Sequence, residues 1–581
     1  MRLSGKQGIA LRGHGDERKT GNLWNLLWLV SRYNNDVNSY LNGESSTKFM
    51  SVDIQNEMLK LLSQTILRKL IASIKDESQL YSSSLFLRNV IANSNSYVFS
   101  LIADETSDIS NREQVSICIR YCTSFLESNE VFLGFFETER TDSNTLFCLI
   151  KDALLRIGLD ISCLRGQGYD GGSNMAGKIN GLQQKMIERN PKALYFHCAG
   201  HQLNLVCQDA CTEVCLVSHV ITIVNKIVTF VKESPKRCSW FSAIQASSGA
   251  SATFSLRPLC NTRWVLRRDC INAFLTNYEN LMTFMEDMST SPEVTGTVKS
   301  AAFAHLLNLE KFEMYFVLRL LQRLFGIIHP IHSKCQSRNA TTGQLNTWIE
   351  DLANSLSTEL DKFGEQLFVE SKQQALSLKI NLPVIPRVRH PVTDEEIQSF
   401  YTNVFQQVFE KAASSLLRRY QSRSLQMSNL LRRLVEDETM SRDDIEATSV
   451  FYGDWDSADI TRERQLLFAR LKRLECVIST NEICKHFREN RALLDMTPNY
   501  INALKTYIVL PCSTCEAERS FSTLRRLKSY LRSTITQQRL NDLAILTTHR
   551  DQTEALDLNE VVSEFVSRSQ TRRNKFGGQA D

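Results

Sequence analysis

Residues Ser162–Asn180 read SCLRGQGYDGGSNMAGKIN. A short lead-in ends in one carboxylate, Asp170. Gly171 and Gly172 follow, then Ser173 and Asn174, then a helix-like run. This is the pattern of a strand, a tight turn and an N-capped helix. It predicts Asp170 at the mouth of a strand, where α/β folds place their chemistry. An Asp that only stabilises the turn has the same local pattern, so the decision falls to acids elsewhere in the chain.

Upstream, Tyr97–Asp108 (YVFSLIADETSD) is apolar as far as Ala103 and then acidic from Asp104. Gln114–Tyr121 and Glu130–Thr138 alternate apolar and polar residues, which predicts a three-stranded antiparallel meander. An amphipathic helix capped by Asp142 or Ser143 follows, then the Asp170 strand and a helix over Ser173–Asn190. Ala193–Ala199 (ALYFHCA) reads as a fifth strand, and a further helix starts at His201. The order βββαβαβα, with one acid in the first strand and one after the fourth, is the ribonuclease-H-like order. The expected fold is an α/β core of that kind, interrupted by a large all-α insertion and completed by an α-helical C-terminal unit.

The pattern from Thr212 to Arg491 is helical, punctuated at Ser234-Pro235, Ser289–Pro292, His329-Pro330 and Leu382–Pro391. Asp437–Arg464 is polar and acidic and reads as a loop. Residues 1–21 read as a polar, basic tail; Asn22–Asn42, with an aromatic-rich face, and Ser51–Asp76 read as helices packing on the core. The expected division is 1–96 helical lead-in, 97–211 first part of the core, 212–491 insertion, 492–550 C-terminal unit and 551–581 tail. The last dozen residues, with Arg572-Arg573-Asn574-Lys575, read as disordered.

Composition limits the function classes. The 581 residues are 42% hydrophobic and 23% charged, which is a folding chain. With 68 Lys+Arg against 64 Asp+Glu, any basic surface has to be local. The 16 cysteines lack framework spacing and no signal peptide is visible, so they read as reduced thiols of a cytosolic or nuclear protein. The apolar runs Leu216–Val231 and Met314–Ile331 are broken by His219, Lys226, Arg319 and Arg323; they read as buried helices rather than membrane spans.

Three acids carry the chemical hypothesis. Asp104 and Asp170 close strands, and Glu518 sits in a helical stretch, PCSTCEAERSFSTLRRLKSYL. Converging carboxylates would hold Mg²⁺ or Mn²⁺, hard ions that favour oxygen ligands. Paired ions serve phosphodiester transfer. Spacing alone favours three unrelated caps or surface acids, because the whole helical block separates Asp170 from Glu518. Trp264, between Arg263 and Arg267, could stack on a base beside phosphates or anchor the insertion. Arg525-Arg526-Leu527-Lys528 could touch phosphates or line a solvated helix face. Cys512 and Cys515 form an isolated CxxC, and Cys207, Cys211 and Cys215 one helix stripe.

Five blocks in this order resemble the hAT-superfamily transposases and their domesticated descendants: IADETSDIS, GQGYDGGSNMAG, HCAGHQLNLV, the TRW of Thr262–Trp264, and LPCSTCEAERSFSTLRRLKSYLRSTITQQRLNDLAIL. The first half resembles the domain found in zinc finger MYM-type 1-like and TTF-type finger proteins, and the last block resembles the hAT C-terminal dimerisation region. The resemblance implies Asp104, Asp170 and Glu518 as a catalytic, metal-holding set. It implies Cys198 and His201 as the family's Cys-x-x-His element, and Trp264 as the Trp of the insertion. Implied partners are a second copy and DNA, in the nucleus and not at a membrane. Two activities remain open: a domesticated regulatory protein, or a working transposase that cleaves and transfers strands. Glu105-Thr106 stands where many active members have a residue followed by Trp, which counts against activity. No Cys precedes Cys118, and His14 is the one His of the first hundred residues, so no Cys/His zinc finger is expected in this chain.

Overall fold

A computed structural model describes residues 1–11, 21–43, 49–75, 97–248, 256, 257, 267–338, 340–386, 388 and 391–576. The chain divides into two compact units. One joins Met1–Cys198 to Met427–Asp581; the other is Ala199–Gln426.

The first unit is built on a five-stranded sheet: β1 Phe99–Ser107, β2 Glu113–Cys122, β3 Ser128–Thr138, β4 Leu164–Tyr169 and β5 Leu194–His197. The spatial order is β3-β2-β1-β4-β5. β1, β2 and β3 pair antiparallel through short turns, whereas β4 pairs parallel with both β1 and β5. The turns are closed by Asn111 and Leu126, both at positive φ. The two parallel joins each need a crossover. The first is the Ser143–Ile157 helix, where Asp142 accepts the Thr145 N–H at 3.1 Å and Gly158 ends the helix at φ 71°. The second carries Leu182–Arg189.

One face of the sheet is reserved for the C-terminal segment. β4 presents Gly166 and Gly168 there, opposite Ser100 and Ile102 of β1. A Cβ on Gly166 would lie 2.6 Å from Pro511 Cδ, so the absent side chain lets Pro511 lie directly on the strand. The flanking helices, Pro498–Val509 and Cys515–Leu527, then span the meander. Arg120 Nε donates to the Ile508 carbonyl at 3.1 Å, the Ser116 and Ser520 hydroxyls meet at 2.8 Å, and Phe521 stacks on Phe135 at 6.3 Å. The third helix, Gln537–Thr548, packs against β3 and the long lead-in helix Val52–Lys75, where Ser63 donates to Asp542 at 2.5 Å.

Several expectations change. The first residues are not a free tail: Arg2–Gln7 is helical, and Thr547 donates to the Gly5 carbonyl at 3.0 Å. A small residue at position 5 lets this helix approach Leu546. At the other end, Gln570–Phe576 is helical, with Arg572 bidentate on Glu57 at 2.8 and 2.5 Å. Asp437–Arg464 is not a loop. It contains the Arg442–Tyr452 helix and the start of Ser457–Arg473, with Ile445, Tyr452, Trp455 and Ile460 buried. One compact helical unit runs from Ala199 to Gln426, and every described element between 212 and 491 is a helix. The helices after 427 belong with the sheet, tied by Asp454 to Arg165 at 2.6 Å and to Lys192 at 2.9 Å.

In the second unit every described element is a helix. Cys215–Lys232 is apolar and long enough to cross a membrane by length and composition alone. Here Val217, Val224, Ile227, Val228 and Val231 are buried among neighbouring helices. Its centre is Phe312–Cys335, whose Phe312 and Phe316 rings surround Tyr401.

Candidate acidic site

Asp104 lies in β1 two residues beyond Ile102, and Asp170 follows β4 two residues beyond Gly168. Ile102 and Gly168 are register partners on parallel strands, so both acids reach the same end and the same face of the sheet. Glu518 arrives from the Cys515–Leu527 helix. Asp104 is paired across the sheet with Ser116, Ser116 touches Ser520, and Glu518 is two residues before Ser520 on that helix. All three acids keep intermediate exposure, so the group opens to solvent on one side.

The charges act on each other. Asp104 is pushed up to about 8, first by burial among protein atoms, then by the charges of Asp170 and Glu518; the Glu105 N–H, donating to Asp104 Oδ1 at 2.9 Å, opposes the rise. Asp170 is held by its own turn, accepting the Gly172 N–H at 3.1 Å, and Tyr195 donates to the Asp170 carbonyl at 2.9 Å. A Cβ on Gly171 would fall 2.6 Å from His197 Cε1, so the first glycine of the turn makes room for that ring.

Glu105 is a fourth acid at this end of β1, and the sequence reading did not assign it a role. It points to the opposite face, accepts the Asn174 amide at 2.8 Å, and is raised by burial and by Asp170. The visible signal was the pair of consecutive acids ending an apolar strand; in a two-residue period they serve opposite faces.

The donor chemistry suits Mg²⁺ or Mn²⁺. The geometry does not close around one: among the described residues, no group of three or more His, Cys, Asp or Glu side chains is placed to hold a metal ion.

The other candidates separate. Cys198 is buried at the end of β5, where it accepts the Thr514 N–H at 3.4 Å. Burial raises the Cys512 and Cys515 thiols, and Cys198 adds to both shifts, so the CxxC packs as small neutral side chains. His201 lies in the first turn of the Ala199–Thr212 helix, which begins directly after Cys198. Arg263 and Trp264 lie outside the described residues. Arg267 does not present its charge on a surface: it is buried beside Cys207 and Cys211, within the helical unit. Lys528 is likewise withdrawn from phosphate, buried on Asp108 at 2.5 Å. The apolar strip Tyr507–Leu510 is also internal, as are Phe521, Leu524, Leu527, Leu540 and Leu543. The sheet lies against this strip: Arg120 of β2 donates to the Ile508 carbonyl, and Pro511 just beyond it lies on Gly166 of β4.

Comparison with known proteins agrees with this layout. Residues 1–181 match the family model described as "ZMYM1/FAM200, RNase-like domain". Residues 471–551 match the hAT family C-terminal dimerisation region. The 52 kDa repressor of the inhibitor of the protein kinase from Homo sapiens is 22% identical, over 96% of this chain and 74% of the relative. The Mus musculus protein of the same name gives the same identity and coverage.

Proposed function

We propose that this chain is a domesticated hAT-derived regulator: a self-associating, DNA-associated nuclear protein that acts by interaction, with its acids no longer catalytic. The observation that carries this reading is the similarity to two repressor proteins along 96% of the chain. The acidic site agrees with it, since its carboxylates are not assembled into a metal-holding group. Within this reading the sheet is a ribonuclease-H-like core. The order β3-β2-β1-β4-β5, with two antiparallel and two parallel joins, supports that assignment. The dimerisation region matched at 471–551 supports self-association.

One observation favours a second reading, an active polynucleotidyl transferase. Asp104 is raised first by burial and then by Asp170 and Glu518, and that part of the rise is the repulsion a divalent ion would relieve. A tethering experiment separates the two. The full chain, fused to a heterologous DNA-binding domain, is expected to lower a reporter several-fold. A variant carrying Asp104→Asn, Asp170→Asn and Glu518→Gln is expected to do so equally. Loss of repression in that variant at matched protein level, or Mg²⁺- or Mn²⁺-dependent strand cleavage by the wild type alone, would favour the enzyme.

A further inference from the structure

The charge balance of the chain leaves any basic surface local, and one segment carries such a surface. Residues 519–550 hold seven Lys or Arg against a single acid, Asp542, which is itself buried on Ser63. The excess in this stretch is larger than the +4 of the whole chain. Lys528 is spent on Asp108, but Arg519, Ser522, Arg525 and Arg526 are exposed. They lie on the outer side of the Cys515–Leu527 helix, whose other side, with Phe521, Leu524 and Leu527, is buried. Arg519 is shared with Glu516 at 2.9 Å. Arg526 donates to the Thr523 hydroxyl at 3.3 Å, and among the described residues no acid pairs with it or with Arg525. The row of arginines ends at a short 3-10 turn, Tyr530–Arg532. Three contacts pin that turn: Lys528 on Asp108 at 2.5 Å, Arg532 donating to the Gly8 carbonyl at 2.7 Å, and the Ser110 hydroxyl donating to the Ser533 carbonyl at 3.0 Å. From this fixed turn Tyr530 stands 83% exposed and Leu531 74%.

We infer that this face holds an unpaired nucleic-acid strand, with phosphates on Arg519, Arg525 and Arg526 and a base stacked on Tyr530. The inference rests on the DNA-associated reading above and gives it a surface. The local charge calls for a polyanion. Arg519 to Arg526 spans about 10 Å of helix, the rise of about three stacked nucleotides. The exposed hydroxyls of Ser522, Ser533 and Thr534 add donors of the kind that phosphates accept. Tyr530 selects strand over duplex, because a base offers its flat face to a side chain only where it is unpaired. Leu531 beside it adds apolar contact. An acidic protein segment would meet the same arginines. The ring standing free at the end of the row favours the strand, in which every nucleotide carries a flat face beside its phosphate.

Fluorescence anisotropy of the full chain tests this, with oligothymidine and oligouridine of about 15 nucleotides and a DNA duplex as probes. The proteins are wild type, Arg525→Gln with Arg526→Gln, and Tyr530→Ala. Circular dichroism and the melting temperature control for folding; all three side chains are exposed. The wild type is expected to bind oligothymidine more tightly than duplex. The arginine variant should bind it about tenfold or more weakly, and its slope of log affinity against log salt should be shallower by about 1.4, since each phosphate contact on a single strand contributes about 0.7. Tyr530→Ala should weaken oligothymidine about fivefold or more and leave both the salt slope and duplex binding unchanged. Equal affinities and slopes in all three proteins, or a wild type that prefers duplex, would overturn the surface and leave DNA association standing. A wild type that binds none of the probes would overturn both. Binding of oligouridine alone would uphold the surface and overturn the DNA reading. Displacement of the strand by polyglutamate at equal charge would assign the face to an acidic protein segment and overturn the proposal. Sedimentation velocity adds the last outcome: a changed oligomeric state in either variant would assign the face to the matched dimerisation region, which contains these residues, and overturn the proposal likewise.

Discussion

At pH 9 the Asp104→Asn variant melts several degrees above the wild type, and at pH 4 the two melt together. The direction follows from linkage. The Asp104 carboxyl titrates near its ordinary acidic value in the unfolded chain and at about 8 in the folded one. Between those values the folded state holds a proton that the unfolded state has released. Stability is therefore fully present below about pH 4, falls as pH rises toward 8, and stays low above it. Asn keeps the shape and the acceptor for the Glu105 N–H but carries no charge, so it escapes the loss. The gain is on the order of a few kcal/mol at pH 9, and calorimetry across the pH range reads it as a difference curve. Parallel curves would mean that Asp104 is an ordinary solvated acid.

A larger loss is expected from Arg120→Leu. Arg120 and Glu130 face each other across β2 and β3 at 2.8 Å, with side chains 1% and 3% exposed. Burial already pushes the Glu130 carboxyl up, and Arg120 opposes that. Removing the guanidinium leaves an uncompensated buried carboxylate and takes a donor from the Ile508 carbonyl, where the C-terminal helices dock. Breaking one side of such a pair costs about 3–5 kcal/mol. Urea unfolding should show this as a lowered midpoint with an unchanged slope. The Arg120→Leu, Glu130→Leu double variant should recover most of it, since the penalty lies in the orphaned charge. A single variant as stable as the wild type would mean that water reaches Glu130.

The strands and their acids were legible because a two-residue alternation reports directly on a half-buried strand, and because a carboxylate before Gly171-Gly172 and Ser173 is a strand-to-helix turn in any context. The caps were legible for the same local reason: Asp142 lies just where an amphipathic run begins. What covers a face is a different matter. Tyr507–Leu510 and Trp24–Tyr33 are both apolar in sequence, yet the first is buried and the second leaves Trp28, Leu29, Val30 and Tyr33 exposed. The difference lies in which distant segment arrives. Pro511 and the helix after it arrive because Gly166 and Gly168 leave space, and nothing local to residues 22–33 marks Trp28 and Tyr33 as the exposed ones. The short terminal helices were missed for a related reason. Arg2–Gln7 and Gln570–Phe576 are polar and owe their order to Leu546, Thr547 and Glu57, hundreds of residues away in the chain.

The convergence of Asp104 with Glu518 is the claim on which the site rests, and a double-mutant cycle measures it. Wild type, Asp104→Asn, Glu518→Gln and the double variant are unfolded in urea at pH 9 and again at pH 5. At pH 9 Asp104 has lost its proton and its charge faces that of Glu518, so each neutralisation relieves the other. The expected coupling is about 1 kcal/mol or more, falling toward zero at pH 5, where Asp104 holds its proton. Additive effects within about 0.3 kcal/mol at both pH values would place the two carboxylates out of reach of each other and contradict the site.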